Sequence, residues 1–121
     1  KKKNIAVGFM TAGVVIAYTK VISTAIAQIG VSIAVEPSFA AFGAGIFNLL
    51  IGLAIASVGV TWAFKALSKV IPGVNLAEEM NNDNRAIGLF VAGVLFGLSE
   101  MIAAGVEGIG PVIAGALGKV F

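Results

Sequence analysis

The sequence contains no cysteine, no histidine and only three prolines. Without cysteine, the chain has neither a disulfide framework nor a thiolate metal site. Without histidine, it has no imidazole to act as a general base near neutral pH or as a zinc ligand. We therefore expect no metal and no cofactor, and we identify no set of residues with the spacing of a catalytic site.

Charged residues are also scarce: they are 12% of the 121 residues, and the net charge is +2. A charge this small and scattered does not indicate a nucleic-acid partner. In contrast, 59% of the residues are hydrophobic, and the mean hydropathy is +1.04, more apolar than a soluble domain with a polar surface. The composition therefore predicts an integral membrane protein whose main partner is the lipid bilayer.

Three long apolar runs predict an all-α membrane bundle with three transmembrane helices. The predicted spans are residues 4–29, 39–70 and 84–106. Each is long enough to cross a hydrocarbon core roughly 30 Å thick, because an α-helix rises about 1.5 Å per residue. The chain is therefore expected to form a single membrane domain over residues 1–121.

Two further segments do not cross the membrane. The polar segment 75–83 predicts a short interfacial helix, because Asn75 and Glu78 have the spacing of an N-cap and its partner. Near Pro111 the glycines predict a break, and the remaining residues 109–121 are too few to span. We expect this tail to be a re-entrant or interfacial helix.

The lysines predict the orientation in the membrane. Three predicted crossings bring one set of charges to the side where the chain begins, namely Lys1, Lys2, Lys3, Lys65, Lys69 and Arg85. Glu36 and Glu107 fall on the other side. By the positive-inside rule, the basic side is cytoplasmic.

The chain opens with Lys1 rather than methionine. We therefore expect a processed chain or a part of a longer product, which leaves open whether another transmembrane helix precedes it. The same feature favours one alternative function, that of a hydrophobic filament subunit similar to the pilins of conjugation systems.

The first and third spans are similar to each other. Residues 4–30 match residues 84–110 without a gap, with nine identities in 27 positions, which include Asn4 with Asn84, Gly8 with Gly88, Ala12 with Ala92 and Gly13 with Gly93. An offset of 80 residues contains two crossings, so the two segments run in the same direction. This predicts a parallel internal repeat of helix pairs, as in some transporters.

The repeated pattern also carries a family resemblance. It reads Asn4, Ala6, Gly8, Ala12, Gly13 in the first copy and Asn84, Ala86, Gly88, Ala92, Gly93, Gly97 in the second. Over roughly residues 1–107 the chain resembles the YjfL-like membrane proteins, domain of unknown function 350. The resemblance implies a multi-pass bacterial inner-membrane protein of uncharacterised role, with a membrane-stress protein as a partner. It also implies two repeats of two helices, and this chain departs from that pattern by lacking the first helix.

Lys20 and Glu100 are charged residues that lie well inside the repeated spans, away from the span ends. Each lies 16 residues after its motif asparagine, so both are about 24 Å along their helices, at the same depth. A lone ion at that depth costs roughly 2.5–3.5 kcal/mol, and a partner offsets part of this free energy. Three interpretations stay open: a structural salt bridge within or between subunits, an ion or proton pathway, and a Lys20 side chain that extends to the interface.

Small residues recur at helical spacing on all three spans. The candidate packing residues are Gly8, Ala12, Gly13, Gly88, Ala92, Gly93 and Gly97, mostly four apart, and Gly45, Gly52 and Gly59, seven apart. Such rows let membrane helices approach closely. Because three helices need fewer rows than this, we expect a homo-oligomer; the alternative is that one bundle uses every row.

Three asparagines complete the candidate residues. Asn4 and Asn84 are expected to cap helices at the interface. Asn48 is a lone amide within the second span and is expected to form an interhelical hydrogen bond rather than to bind an ion. Together these features predict a self-associating membrane protein with a structural or membrane-stress role. An ion or proton conduit that uses Glu100 with Lys20 is the alternative.

Overall fold

The computed structural model describes residues 3–120, without the side chains of residues 113, 114, 117, 118 and 120. The chain forms helices α1 (Ile5–Val35), α2 (Phe39–Val70), α3 (Leu76–Asn81) and α4 (Arg85–Val120). Three of them, α1, α2 and α4, are long and apolar enough to cross a membrane. Over the described residues, the prediction of an all-α fold with three helices able to span a membrane is therefore confirmed. The predictions made for Lys1, Lys2 and Phe121 lie outside the described residues.

Side-chain caps start the first two long helices. The Asn4 Oδ1 atom accepts a hydrogen bond of 2.9 Å from Val7 N–H, and Ser38 Oγ accepts one of 3.1 Å from Ala41 N–H. Each bond satisfies a backbone donor that has no partner within the helix. Between α1 and α2, Pro37 disfavours a helical conformation in the preceding residue, so the turn falls there.

Two helix ends differ from those expected. Helix α1 continues to Val35, past the expected end at residue 29, and α4 continues through Pro111 to Val120. The physical reason is that glycine is tolerated in membrane helices, and that a proline removes only one backbone donor. The expected separate tail at 109–121 is therefore the last part of α4 over its described length. Within α4, Arg85–Val112 is long and apolar enough to cross a membrane.

The interior of the bundle is built from small side chains. Helix α1 packs against both α2 and α4. The fully buried core residues include Ala6, Val21, Ala25, Val91 and Leu95. Large apolar side chains point outward instead, such as Phe39, Trp62 and Met101. Apolar residues all around a helix are typical of a protein whose outer surface contacts lipid.

Four basic residues lie at one end of the bundle. The start of α1, the end of α2, all of α3 and the start of α4 meet there, which brings Lys3, Lys65, Lys69 and Arg85 to the same end. We call it the basic end. Helix α3 lies across it, with Leu76 and Met80 buried in the core.

Candidate functional site

The two similar segments lie side by side in α1 and α4 and run in the same direction. Near the basic end, a Cβ on Gly88 would lie 2.7 Å from Ala6 Cα. Further along both helices, Lys20 contacts Glu100. The sequence separation is thus 82 residues at one contact and 80 at the other. Equivalent positions of the two segments therefore lie at nearly the same level along the two helices.

This register brings Lys20 and Glu100 together. Lys20 Nζ lies 3.4 Å from Glu100 Oε1, and their side chains are 41% and 47% exposed. Lys20 is 15 residues from each end of α1, so the pair lies about 22 Å from either end of that helix. The pair is therefore at the middle of the bundle in depth, on its outer surface rather than in its core.

The exposure of the pair decides what it can do chemically. In a single copy, the exposed parts of both charged groups would contact the hydrocarbon chains of the bilayer. Charged groups within membranes normally face a bundle interior or a water-filled cavity. The outer seam between α1 and α4 therefore carries two half-exposed groups of opposite charge that partly neutralise each other.

Glycines at the α1–α4 interface allow the close approach of the two backbones. A Cβ on Gly13 would lie 2.8 Å from Ala92 Cα, and one on Gly88 would lie 2.6 Å from the Ala6 carbonyl oxygen. Real Cβ atoms do not approach other atoms this closely. Any larger residue at either position would force α1 and α4 apart.

Three of the four glycines of α2, which are Gly45, Gly52 and Gly59, also face the interior. A Cβ on Gly52 would lie 3.0 Å from Val106 Cγ2, and one on Gly59 would lie 3.1 Å from Ile102 Cδ1. A Cβ on Gly45 would collide with Ile29. The glycine row of α2 is thus used for packing within the chain.

The remaining small residues lie on the outer surface. Gly8, Gly93 and Gly97 have open space where a Cβ would be, and Ala12 is exposed. Gly93 and Gly97 precede Glu100 by seven and three residues, so they share its face of α4. We call Gly93, Gly97, Glu100 and Ala104 the α4 outer stripe; all four are exposed.

Two amide side chains lie farther from the basic end than the ion pair does. Asn48 is 2% exposed; its Nδ2 donates a hydrogen bond of 3.4 Å to the Val106 carbonyl, while its Oδ1 is buried without a partner among the described residues. A Cβ on Gly110 would lie 2.5 Å from Gln28 Oε1 and 3.2 Å from Asn48 Nδ2. Gly110 therefore provides the space in which two amide side chains from α1 and α2 meet. Sequence reasoning missed Gln28, because a glutamine near a helix end has no distinctive spacing.

The two motif asparagines lie at the basic end, at the starts of their helices. Asn4 Nδ2 donates a hydrogen bond of 2.6 Å to the Met80 carbonyl. Asn84 Oδ1 accepts one of 3.3 Å from Ile87 N–H, and its Nδ2 donates one of 2.6 Å to Glu79 Oε2. Both asparagines thus bind a backbone donor of their own helix and a group of the α3 segment.

Asp83 makes a further contact at this end that sequence reasoning missed. Its Oδ1 accepts a hydrogen bond of 2.8 Å from Ala6 N–H, so it caps α1 from 77 residues away. That bond is the main cause that lowers the pKa of Asp83 below the ordinary value of an aspartate, and the nearby Arg85 guanidinium lowers it further. Asp83 has a positive φ of 55°, which aspartate tolerates better than most residues do. The signal in the sequence was that an acidic residue, Asp83, directly precedes the N-cap residue Asn84.

The comparison with known families agrees with the geometry of the bundle. The model of the family described as Domain of Unknown Function (DUF350) matches residues 1–106. The chain belongs to the DUF350 family. The resemblance inferred from the two NxAxG patterns is therefore confirmed. The matched range of the DUF350 chain includes α1, α2, α3 and the part of α4 that carries Glu100. No curated protein and no solved structure matches this chain.

Proposed function

We propose that this DUF350 chain is a non-catalytic subunit of a bacterial cell membrane that self-associates through the α4 outer stripe. The observation that supports the proposal is the position of Gly93 and Gly97 next to Glu100. These two glycines form a GxxxG pattern whose Cβ positions face open space, on the same face as a half-exposed ion pair.

The glycine pattern supports self-association because of what drives helix contacts in lipid. Membrane helices gain no hydrophobic free energy by leaving lipid, so close van der Waals packing between small residues dominates. Gly45, Gly52 and Gly59 of α2, with Gly13 and Gly88, already pack within the chain. Gly93 and Gly97 remain for a contact with another copy.

The Lys20–Glu100 ion pair also supports self-association through the α4 outer stripe. If a second α4 packs on the outer stripe, it covers the exposed part of Glu100 and removes it from lipid. In a two-fold symmetric dimer, the contact would also bring the second copy's Lys20 and Glu100 to the same depth. Four charges of alternating sign would then stabilise each other in a region of low dielectric constant.

A structural or membrane-stress scaffold fits this arrangement best. Such a protein needs spanning helices and a surface for self-association, and this role is supported by the three long apolar helices and by the open α4 outer stripe. The role as a partner of a membrane-stress protein rests on the family resemblance alone.

Subunit counting tests the proposal in a bilayer. The chain is reconstituted in lipid nanodiscs or vesicles, and the number of subunits per particle is measured for wild type and for Gly97→Leu. We expect oligomers for wild type and monomers for Gly97→Leu, because leucine separates the two α4 backbones. Gly43→Leu is the matched control, since Gly43 of α2 is also exposed with open space. Monomeric wild type would contradict the proposal, and open-ended assemblies would favour the filament subunit instead.

An ion or proton conduit is the second candidate function, favoured by the mid-depth position of the Lys20–Glu100 pair. A ring of copies with the outer stripe facing inward would line a polar path with Glu100. Conductance across liposomes separates the two functions, with wild type compared with Glu100→Gln. A conduit predicts a flux in wild type that Glu100→Gln reduces at least tenfold. The scaffold predicts the same background flux in both.

A further inference from the structure

An open apolar cavity lies between the four helices at the basic end. Its volume is about 490 Å³, within the range of small-molecule and cofactor sites. Helix α3 covers one side of it, and α1, α2 and α4 form the other walls. Its lining includes Met10 and Val14 of α1, Phe64 and Ser68 of α2, and Ala77 and Asn81 of α3.

The walls of the cavity suit a hydrocarbon chain. Met10, Val14 and Phe64 are only partly buried and pack against the main core cluster, so the cavity continues the core toward the outside. The polar lining is confined to the hydroxyl of Ser68 and the side chain of Asn81. An apolar interior with a few polar groups is the pattern that binds an amphipathic ligand.

Two lysines stand beside this cavity on α2. Lys65 lies one helical turn before Ser68, and Lys69 directly follows it. Both lysines are exposed, and within residues 3–120 neither has a carboxylate within 4 Å. Of the two acidic residues of α3, Glu78 shares the face of Asn81, and the Glu79 Oε2 atom accepts a hydrogen bond from Asn84 Nδ2. The α2 side of the cavity therefore carries two cations that neither glutamate pairs with among the described residues.

We propose that this cavity binds one acyl chain of an anionic phospholipid, whose phosphate lies against Lys65 and Lys69. The cavity is at the basic end of the spans, which is the depth of the headgroups. Lysine stems can lie along apolar surface while their ammonium groups reach the phosphate. An anionic headgroup is preferred over a zwitterionic one because two unpaired cations face it. The site does not depend on self-association through α4.

Native mass spectrometry of the purified chain tests the headgroup preference. Phosphatidylglycerol and phosphatidylcholine with identical acyl chains are added in equal amounts, and the bound fractions are compared. We expect Lys65→Gln and Lys69→Gln each to lower the preference for phosphatidylglycerol about fivefold. This factor corresponds to an attraction of about 1 kcal/mol per lysine. Lys119→Gln removes the same charge near the other end of the bundle and should leave the preference unchanged. Equal preferences in all four chains would overturn the proposal.

A second variant tests the acyl-chain part of the site. Ala77→Phe places a large side chain at an exposed position of the cavity lining, so it should lower the binding of both lipids at least fivefold. Ala54→Phe, on the exposed side of α2, is the control and should bind as wild type does. If Ala77→Phe retains both lipids, or if wild type binds neither because a peptide segment or a second copy fills the cavity, the proposal is wrong. The exposed lysine variants keep the test decisive if Ala77→Phe does not fold.

Discussion

Lys20 and Glu100 are 80 residues apart in the chain, and their charged groups lie 3.4 Å apart on the outer seam between α1 and α4. Both side chains are more than two fifths exposed, at the middle of helices that are long enough to span a bilayer. A charge pair that is formed within the chain but still faces outward is the feature that links the fold to the proposed self-association.

The pair should behave as a unit in stability measurements. Lys20→Met or Glu100→Gln alone leaves one unpaired charge at mid-depth, so each is expected to lower the free energy of unfolding, by up to roughly 2.5–3.5 kcal/mol. The double variant removes both charges and should recover most of that loss. Thermal unfolding of the four chains in one detergent measures the coupling, and additive losses in the double variant would show that the two side chains do not interact.

Matched positions of the two similar segments should respond differently to alanine. Gly88→Ala places a Cβ against the Ala6 backbone, so we expect a loss of roughly 1–3 kcal/mol from the separation of α1 and α4. Gly8→Ala, at the equivalent position of the first segment, meets open space and should be neutral or stabilising by up to about 1 kcal/mol. Chemical unfolding curves compare the two, and equal effects would contradict the described packing.

Asp83 should make stability depend on pH. Because its pKa is lowered in the folded chain, its contribution is fully present above the ordinary aspartate pKa of about 3.9. The contribution is lost as the pH falls through the lower, folded value. In Asp83→Asn, the free energy of unfolding should change less with pH in this acidic range. Asparagine also tolerates a positive φ, so the backbone is kept. An unchanged pH profile in this variant would show that the bond to Ala6 N–H contributes nothing.

The buried amide of Asn48 should be replaceable by an apolar side chain of similar size. Among the described residues, its Oδ1 is buried without a partner, and the hydrogen bond of its Nδ2 to the Val106 carbonyl is long at 3.4 Å. Asn48→Leu is therefore expected to leave the melting temperature unchanged or to raise it, because it removes an unsatisfied polar group. Asn48→Ala controls for volume and should lower the melting temperature. A marked loss in Asn48→Leu would indicate a polar partner for Oδ1.

Periodicity and hydropathy predict much of this fold. The spans, the interfacial helix and the equal depth of Lys20 and Glu100 follow from helix geometry and from the 80-residue offset. The continuation of α4 through Pro111 does not, because the effect of one missing hydrogen bond depends on whether lipid or water surrounds the backbone.

Sequence alone also cannot tell which glycine of a matched pair is buried. Gly13 and Gly93 occupy equivalent positions, yet Gly13 meets Ala92 and Gly93 meets open space. Gly13 faces α4 across the interface, whereas Gly93 lies on a side of α4 that faces away from α1. A local sequence pattern also does not predict long-range contacts such as that of Asp83 with Ala6.

Cross-linking of single cysteines in native membranes tests the central claim most directly, because the chain contains no cysteine of its own. Ala104→Cys places one thiol on the α4 outer stripe, and Val58→Cys places one on the exposed side of α2, where Val58 is 70% exposed. With a short bifunctional maleimide, we predict a dimer band for Ala104→Cys. That band should be lost when Gly97→Leu is added, and Val58→Cys should give little dimer. Equal cross-linking at both positions, or an Ala104→Cys dimer that persists with Gly97→Leu, would contradict self-association through α4.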